Sequence, residues 1–534
     1  MEIVKRIKYT VNCILYNKDF LIIKRREFMK KIFSLLFVLS IFVFSFAFTG
    51  QIDSLVKDQF KGEFKAHENN ASLFIEKNGA SVSDMELFIN GMKVNIFDSD
   101  ENVLKVNVSK FVVDGVNDIA FVNKSKKVAR VVVPFITLEK ALPEKAGMNS
   151  DVLSKIDAVV EGEISKGITP GAVVLIAKDG YIVKEKAYGF AQKYDIKGLL
   201  KDPVYMNTNT IFDLASVTKV MATTQSIMSL ISEGKINSVE DKVIKYLPEF
   251  GKNGKENITI ADLLTHTSGL TPWKPTFYHV NNRKEELDFI NNLPLEYETG
   301  TDRRYSDFSF MALGFIVEAA SGMPMEEYAK TIYNELNMVD TGYLPSEDLN
   351  SRIAATSWGN PYEYRMVMDD SFGYKCEESK YFNEFNGWRN YVLIGQVNDG
   401  NAFYANHGVA GHAGLFSTTG DLAILGQTML NGGGYDTTRV YDEDIVKEFT
   451  SPKRFGQGYG FEVDKSWYMG SNRSKETFGH TGFTGTQVIF DPNFDLQIII
   501  LTNKQHNGVN PFTKYNSTGY LSREVCNIVY ESIK

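Results

Sequence analysis

Ser216-Val217-Thr218-Lys219 places a serine and a lysine three positions apart at the start of a predicted helix. That spacing puts both side chains on one helix face, so the lysine nitrogen can reach the serine oxygen. A serine hydroxyl keeps its proton at neutral pH, and an adjacent base or positive field is what lets it attack a carbonyl. Taken alone, the same four letters more often mean a capping serine followed by a solvated lysine. The chemistry therefore depends on what the rest of the chain supplies.

Three further stretches carry reactive residue types. Tyr305-Ser306-Asp307 follows Gly300 and precedes a helix predicted to begin near Phe308. In a positive pocket a tyrosine loses its proton more readily and can act as a base; elsewhere it is a core tyrosine at a loop end. His480-Thr481-Gly482 precedes a strand predicted from Thr486. Glycine there lets a substrate approach the strand edge, and a neighbouring N–H can help to form an oxyanion hole; the plainer alternative is a turn before an edge strand. The third stretch, Gly408 to Gly414, contains His412 and runs into Ser417-Thr418-Thr419-Gly420-Asp421, whose hydroxyls suit a helix cap. His412 reads as a packed loop histidine ahead of a catalytic one.

The elements that must position these residues follow from pattern. With 534 residues, 43% hydrophobic and 23% charged, the chain is globular and long enough for two or more domains. Residues 1–50 read as a leader: Met29-Lys30-Lys31 precedes an apolar run from Ile32 to Phe48 ending in small Ser45 and Ala47, the layout of a secretory signal. Translation is expected to begin at Met29, and an uncleaved membrane anchor is the alternative to a cleaved signal. Residues 51–140 read as a small β-sandwich of five or six short strands, with Asn90-Gly91 as a hairpin turn. It holds no acid pair, histidine cluster or Ser/Lys pair and reads as a positioning module, with glycan binding as the alternative. A linker near Pro143 and Gly147 leads into residues 141–534. There a capped helix follows Asn149, a hairpin turns at Lys178-Asp179-Gly180, strands flank Asp491-Pro492-Asn493, and a last helix spans about Tyr520 to Ile533. The terminal strands can form one antiparallel sheet around a helix-rich middle, an α+β fold.

A net charge of −8 leaves no basic footprint for nucleic acid. No Cys/His cluster has metal-ligand spacing, so neither a metal nor a cofactor is expected. Cys13 falls in the leader, and whether Cys376 and Cys526 pair stays open, two buried thiols being favoured.

Together the three motifs resemble, in order and approximate spacing, the serine β-lactamase and penicillin-binding protein superfamily. The match is to its class C-like branch, which includes esterases, D-aminopeptidases and D-alanyl-D-alanine carboxypeptidases. Ile260 to Leu270, Gly300 to Tyr305, Leu313 to Gly322 and Gly408 to Ala423 resemble that branch too. The resemblance covers residues 147–534 and not the sandwich. It implies a five-stranded antiparallel sheet flanked by helices, with a helix-rich subdomain. It also implies Ser216 as acylated nucleophile, Lys219 as its proton partner, and Tyr305 as general base. Asp307, His480, Thr481, Gly482 and Phe483 would bind substrate, with the N–H groups of Ser216 and Phe483 as oxyanion hole. Whether Tyr305 or Lys219 takes the serine proton is left open.

Two departures matter. The family's second motif usually ends in asparagine, and Asp307, when ionised, only accepts hydrogen bonds. The third often begins with lysine, a point charge for a substrate carboxylate, and His480 is mostly neutral above about pH 6.5. The expected activity is an exported serine hydrolase acting on an ester or small amide, with a small-molecule or peptidoglycan-derived substrate. The alternatives are a β-lactamase, which His480 disfavours, and a non-catalytic penicillin- or wall-binding protein. Substrate choice is expected from residues 271–299 and 345–406, where Trp273, Phe277, Tyr278, Trp358, Tyr362 and Trp388 line the cleft or simply pack.

Overall fold

The computed structural model describes residues 49–534 apart from 69, 373–375 and 377–384. The leader, with Met29 and the run from Ile32 to Phe48, lies outside the described residues. Among the described residues no single helix is long and apolar enough to cross a membrane.

Eight strands form the amino-terminal module: β1 (Ile52–Val56), β2 (Gln59–Ala66), β3 (Ser72–Glu76), β4 (Met85–Ile89), β5 (Met92–Val94), β6 (Val103–Asn107), β7 (Gly115–Asn123) and β8 (Ala129–Val133). They build two four-stranded sheets, ordered β1-β8-β3-β6 and β2-β7-β4-β5. Leu73, Ile75, Leu87, Ile89 and Phe121 fill the space between them. Asn90 and Gly91 both have positive φ, 49° and 76°, as the tight turn joining β4 to β5 requires. There are more strands than the pattern suggested, because β2 (QFKGEFKA) carries charges and a glycine among its apolar positions and reads poorly as a strand.

The larger module is built on a sheet of eight strands rather than five. Its strands are β9 (Glu139–Lys140), β10 (Gly171–Lys178), β11 (Tyr181–Asp195), β12 (Gly198–Tyr205), β18 (Glu462–Val463), β19 (Phe478–Thr481), β20 (Gln487–Asp491) and β21 (Leu496–Thr502). Between β12 and β18 in the chain, β13 (Phe212–Asp213), β14 (Gly342–Tyr343) and β15 (Leu415–Ser417) form a small separate sheet, and β16 (Gly434–Tyr435) pairs with β17 (Thr438–Arg439). The main order is β12-β11-β10-β21-β20-β19-β18, with β9 alongside β11. Five consecutive strands, β11, β10, β21, β20 and β19, form its centre. The extra three are two-residue pairings (β9, β18) or a largely exposed ribbon (β12), with no apolar alternation to announce them.

Central strands β10 and β21 are buried on both faces, so they read as unbroken apolar runs. Val173, Leu175, Ile499 and Leu501 face one core; Val174, Ile176, Ile498 and Ile500 face the other. On the second face lie α1 (Ser150–Ser165), whose N-cap Asn149 accepts from Val152 N–H at 3.1 Å, and the carboxyl-terminal helix Gly519–Ser532. The first face carries the helix-rich middle: α2 (Thr224–Ser232), α3 (Asp307–Ser321), α4 (Met325–Glu335) and α5 (Thr419–Leu430). Cys376 and Cys526 are buried in different clusters and are not joined.

The small sandwich meets the sheet at its hairpin end. Tyr181 donates to Asp114 at 2.7 Å and stacks on His67 at 4.1 Å, and Lys65 pairs with Asp495 at 2.7 Å. Lys178 pairs with Leu496 at that end of the β10–β21 ladder, and Ala172 with Thr502 at the other, which leads directly to the cleft at Lys504.

Candidate active site

Ser216 follows β13 across a strained bend. Ala215 has φ 45°, a left-handed conformation costly for a residue with a Cβ. Asp213 holds it: one carboxylate oxygen accepts from Ala215 N–H at 2.9 Å and the other from Asn398 N–H at 2.6 Å. Burial raises this carboxyl to about 6. A single π-helical turn, Lys219–Thr223, then enters α2 and presents Lys219 back toward Ser216.

Lys219 is wholly buried, and its ammonium makes three contacts. It donates to Ser216 Oγ at 3.1 Å, to Asp307 Oδ1 at 2.8 Å and to the His412 carbonyl at 3.1 Å. Burial pushes the ammonium down, but the charges of Asp307 and Tyr305 outweigh it, and Lys219 is raised above its ordinary value. The Tyr305 ring lies 4.9 Å from the same ammonium. Burial raises the Tyr305 hydroxyl, Lys219 lowers it and Asp307 raises it again, leaving it above its ordinary value. Ser216, Tyr305, Asp307, His480, Thr481, Gly482 and Phe483 thus share one cleft of about 670 Å³, with Lys219 beneath its floor.

His480 and Thr481 end β19 inside the sheet, not in a turn before an edge strand. His480 is buried, and its Nδ1–H donates to the Thr481 carbonyl at 2.7 Å. Burial lowers its pKa, so the imidazole is neutral at pH 7 and supplies no charge for a carboxylate. At Gly482 a Cβ would collide with Thr486 Oγ1 and the Leu214 carbonyl, so only glycine fits the tight return to β20. Among the described residues, the N–H groups of Ser216 and Phe483 meet no protein acceptor.

His412 is a packed loop histidine whose Nε2 lies 2.9 Å from Asp399. Its backbone carbonyl, not its ring, serves Lys219. Asp307, Asp399 and His412 approach one another, yet Lys219 already engages Asp307 and His412 engages Asp399, so each carboxylate already has a partner within the protein. Four residues near the site were not singled out from the sequence: His266 and Arg303 lie within the stretches Ile260 to Leu270 and Gly300 to Tyr305, and Asp399 and Glu363 in a region with no motif. His266 accepts from Ser306 N–H at 3.1 Å and packs 4.5 Å from the Tyr305 ring, fixing the tyrosine loop. Arg303, Asp399 and Glu363 line the cleft, and burial raises Glu363 to about 8. Of the expected aromatics, Trp273 and Tyr362 line the cleft; Phe277, Tyr278 and Trp388 pack with Phe385 and Tyr404 behind it.

Comparison with known proteins identifies the family and the fold. The β-lactamase family model matches residues 156–517. The N-acetylmuramyl-L-alanine amidase of Bacillus subtilis (strain 168) is 38% identical over 389 residues, covering 68% of this chain and 84% of that protein. Among solved structures, EstCE1, a hydrolase with promiscuous acyltransferase activity, superposes with a TM-score of 0.54 at 19% identity over 71% of this chain and 99% of its own. A β-lactamase/D-alanine carboxypeptidase from Pseudomonas syringae gives 0.53 at 18% identity over 72% and 100%. The chain belongs to the β-lactamase family and is a serine hydrolase of that family.

Proposed function

We propose that the protein is an exported hydrolase that forms an acyl-enzyme on Ser216 and cleaves an ester or small amide from peptidoglycan. The observation that carries this reading is the Lys219 ammonium 3.1 Å from Ser216 Oγ, in a site shared with Tyr305. Because Lys219 donates to Oγ, the serine's own proton is free to point at Tyr305. The two raised groups, Lys219 and Tyr305, together lose one proton to create the base, and the pair titrates as a unit. The base takes the Ser216 proton as Oγ bonds to the substrate carbonyl carbon. The carbonyl oxygen becomes an oxyanion held by the N–H groups of Ser216 and Phe483. The same proton then goes to the leaving amine or alkoxide as its bond to carbon breaks. Water, deprotonated by the same base, bonds to the acyl carbon, and the base returns that proton to Ser216 Oγ as the Oγ–carbon bond breaks and the acid leaves.

The cell-wall substrate draws on the Bacillus relative, named for an amide between N-acetylmuramic acid and L-alanine. The cleft is roomy, and exposed Trp467 and Phe483 stand at its rim, as a substrate larger than a simple ester requires. Export rests on the positive flank and apolar run from Met29 to Phe48. The test is alanine release from muramyl-L-alanine and from a D-alanyl-D-alanine peptide, beside hydrolysis of p-nitrophenyl butyrate. Turnover by the wild type and none by Ser216→Ala supports the reading; equal rates overturn it.

A further inference from the structure

We infer that Arg303 is the anchor for a carboxylate on the substrate. The inference rests on the reading of this cleft as the hydrolytic site and adds the group that selects what enters it.

Arg303 lines the cleft with Ser216, Tyr305 and His480. Its guanidinium forms no ion pair and donates no hydrogen bond among the described residues, and its Nε is buried without a partner. The neighbouring acids are occupied: Asp302 accepts from the Arg303 backbone N–H and from Arg304 Nε, and Glu296 pairs with Arg304. Glu462 lines the same cleft but makes no ion pair with Arg303. The Arg303 Nε–H is withdrawn from water without an acceptor, a desolvation penalty that an incoming anion would relieve.

The surrounding groups leave this task to Arg303. His480 stands where a cation for the substrate was sought, and burial keeps it neutral. His266 is also held neutral, by burial first and by Arg303 itself second. Lys219 is spent on Asp307, the His412 carbonyl and Ser216. Among the described residues, Lys504 is the one other cation lining the cleft; burial lowers it to about 8, and it sits over the Phe483 ring at 5.9 Å. Arginine offers a planar fork that matches a carboxylate in two parallel hydrogen bonds and does not titrate at working pH.

The test is calorimetric titration of N-acetylalanine and its neutral analogue N-acetylalaninamide, both enantiomers, into the full chain. The acid should bind the wild type at least about tenfold more tightly than the amide, the scale of a charge-assisted pair. Arg303→Gln should lose that preference, and Arg303→Lys should keep only part of it, because a point charge cannot reproduce the fork. Lys504→Gln should retain it. Equal binding of acid and amide to the wild type, no binding of the acid, a preference that survives in Arg303→Gln, or one lost in Lys504→Gln would each overturn the anchor. Ser216→Ala should bind the acid as the wild type does whether or not Ser216 is the nucleophile. Failure of the anchor and failure of the nucleophile are therefore separate results.

Discussion

The Lys219 ammonium donates to the Asp307 carboxylate at 2.8 Å, with the lysine wholly buried and the aspartate at the cleft floor. An asparagine at 307 would leave the ammonium as an unbalanced positive charge beside Tyr305. The aspartate cancels that charge, and so raises both groups that could act as the base.

Asp307→Asn should therefore lower both Lys219 and Tyr305. The base form then appears at lower pH, and the rising limb of the kcat/KM profile moves to the acid side by about one unit or more. A profile that stays in place, or moves to higher pH, contradicts the assignment. Asparagine keeps an acceptor for Lys219, so the fold should survive.

His480 contributes no charge to substrate binding. Burial holds its pKa below the ordinary histidine value, so the ratio of kcat/KM between a carboxylate-bearing ester and its neutral analogue should show no change centred at that ordinary value. A ratio that falls as imidazolium would be lost, centred near the ordinary histidine value, would return the role to His480.

Gly482→Ala should depress kcat/KM by about 100-fold or more while the protein remains folded, because the Cβ displaces the turn that carries the Phe483 N–H. Near-ultraviolet circular dichroism checks the fold. Wild-type turnover in that variant would remove the Phe483 N–H from the oxyanion hole.

His506 should make the protein acid-sensitive. Its Nε2 accepts from the N–H groups of Lys193 and Tyr194 at 2.9 and 3.1 Å, and its Nδ1–H donates to the Thr356 carbonyl at 3.1 Å. Only the neutral ring can do this, and burial lowers the pKa to about 4. A folded value below the unfolded one means the stabilisation is present above about pH 6.5 and is lost as pH falls toward 4. The loss is about 3 kcal/mol at full titration. Thermal melts should show a smaller drop over that range for His506→Gln than for the wild type, each against its own value at pH 7. Parallel losses would contradict this.

What the sequence disclosed was whatever is written in adjacent residues. Asn90-Gly91 and Lys178-Asp179-Gly180 turn their hairpins because two residues suffice to set a turn, and the runs in β10 and β21 announce strands buried on both faces. Ser216, Lys219, Tyr305 and His480 could be picked out because each sits in a short motif. The residues around them could not. Asp399 and Glu363 reach the cleft from a region with no motif, and His266 acts through a ring nitrogen on the loop of another motif. The charge state of His480 was beyond reading because burial decides it, and burial is a property of the assembled sheet. The edges β9, β12 and β18 escaped for a related reason: they are short or exposed, and packing does not constrain their composition.

Every step proposed for this site depends on Ser216 being the nucleophile. The most direct test is labelling with a fluorophosphonate, which phosphonylates an activated serine, followed by intact mass and peptide mapping. A single adduct is expected on the peptide containing Ser216 and none on a folded Ser216→Ala variant. No adduct on the wild type, or one that persists in the variant, would contradict it.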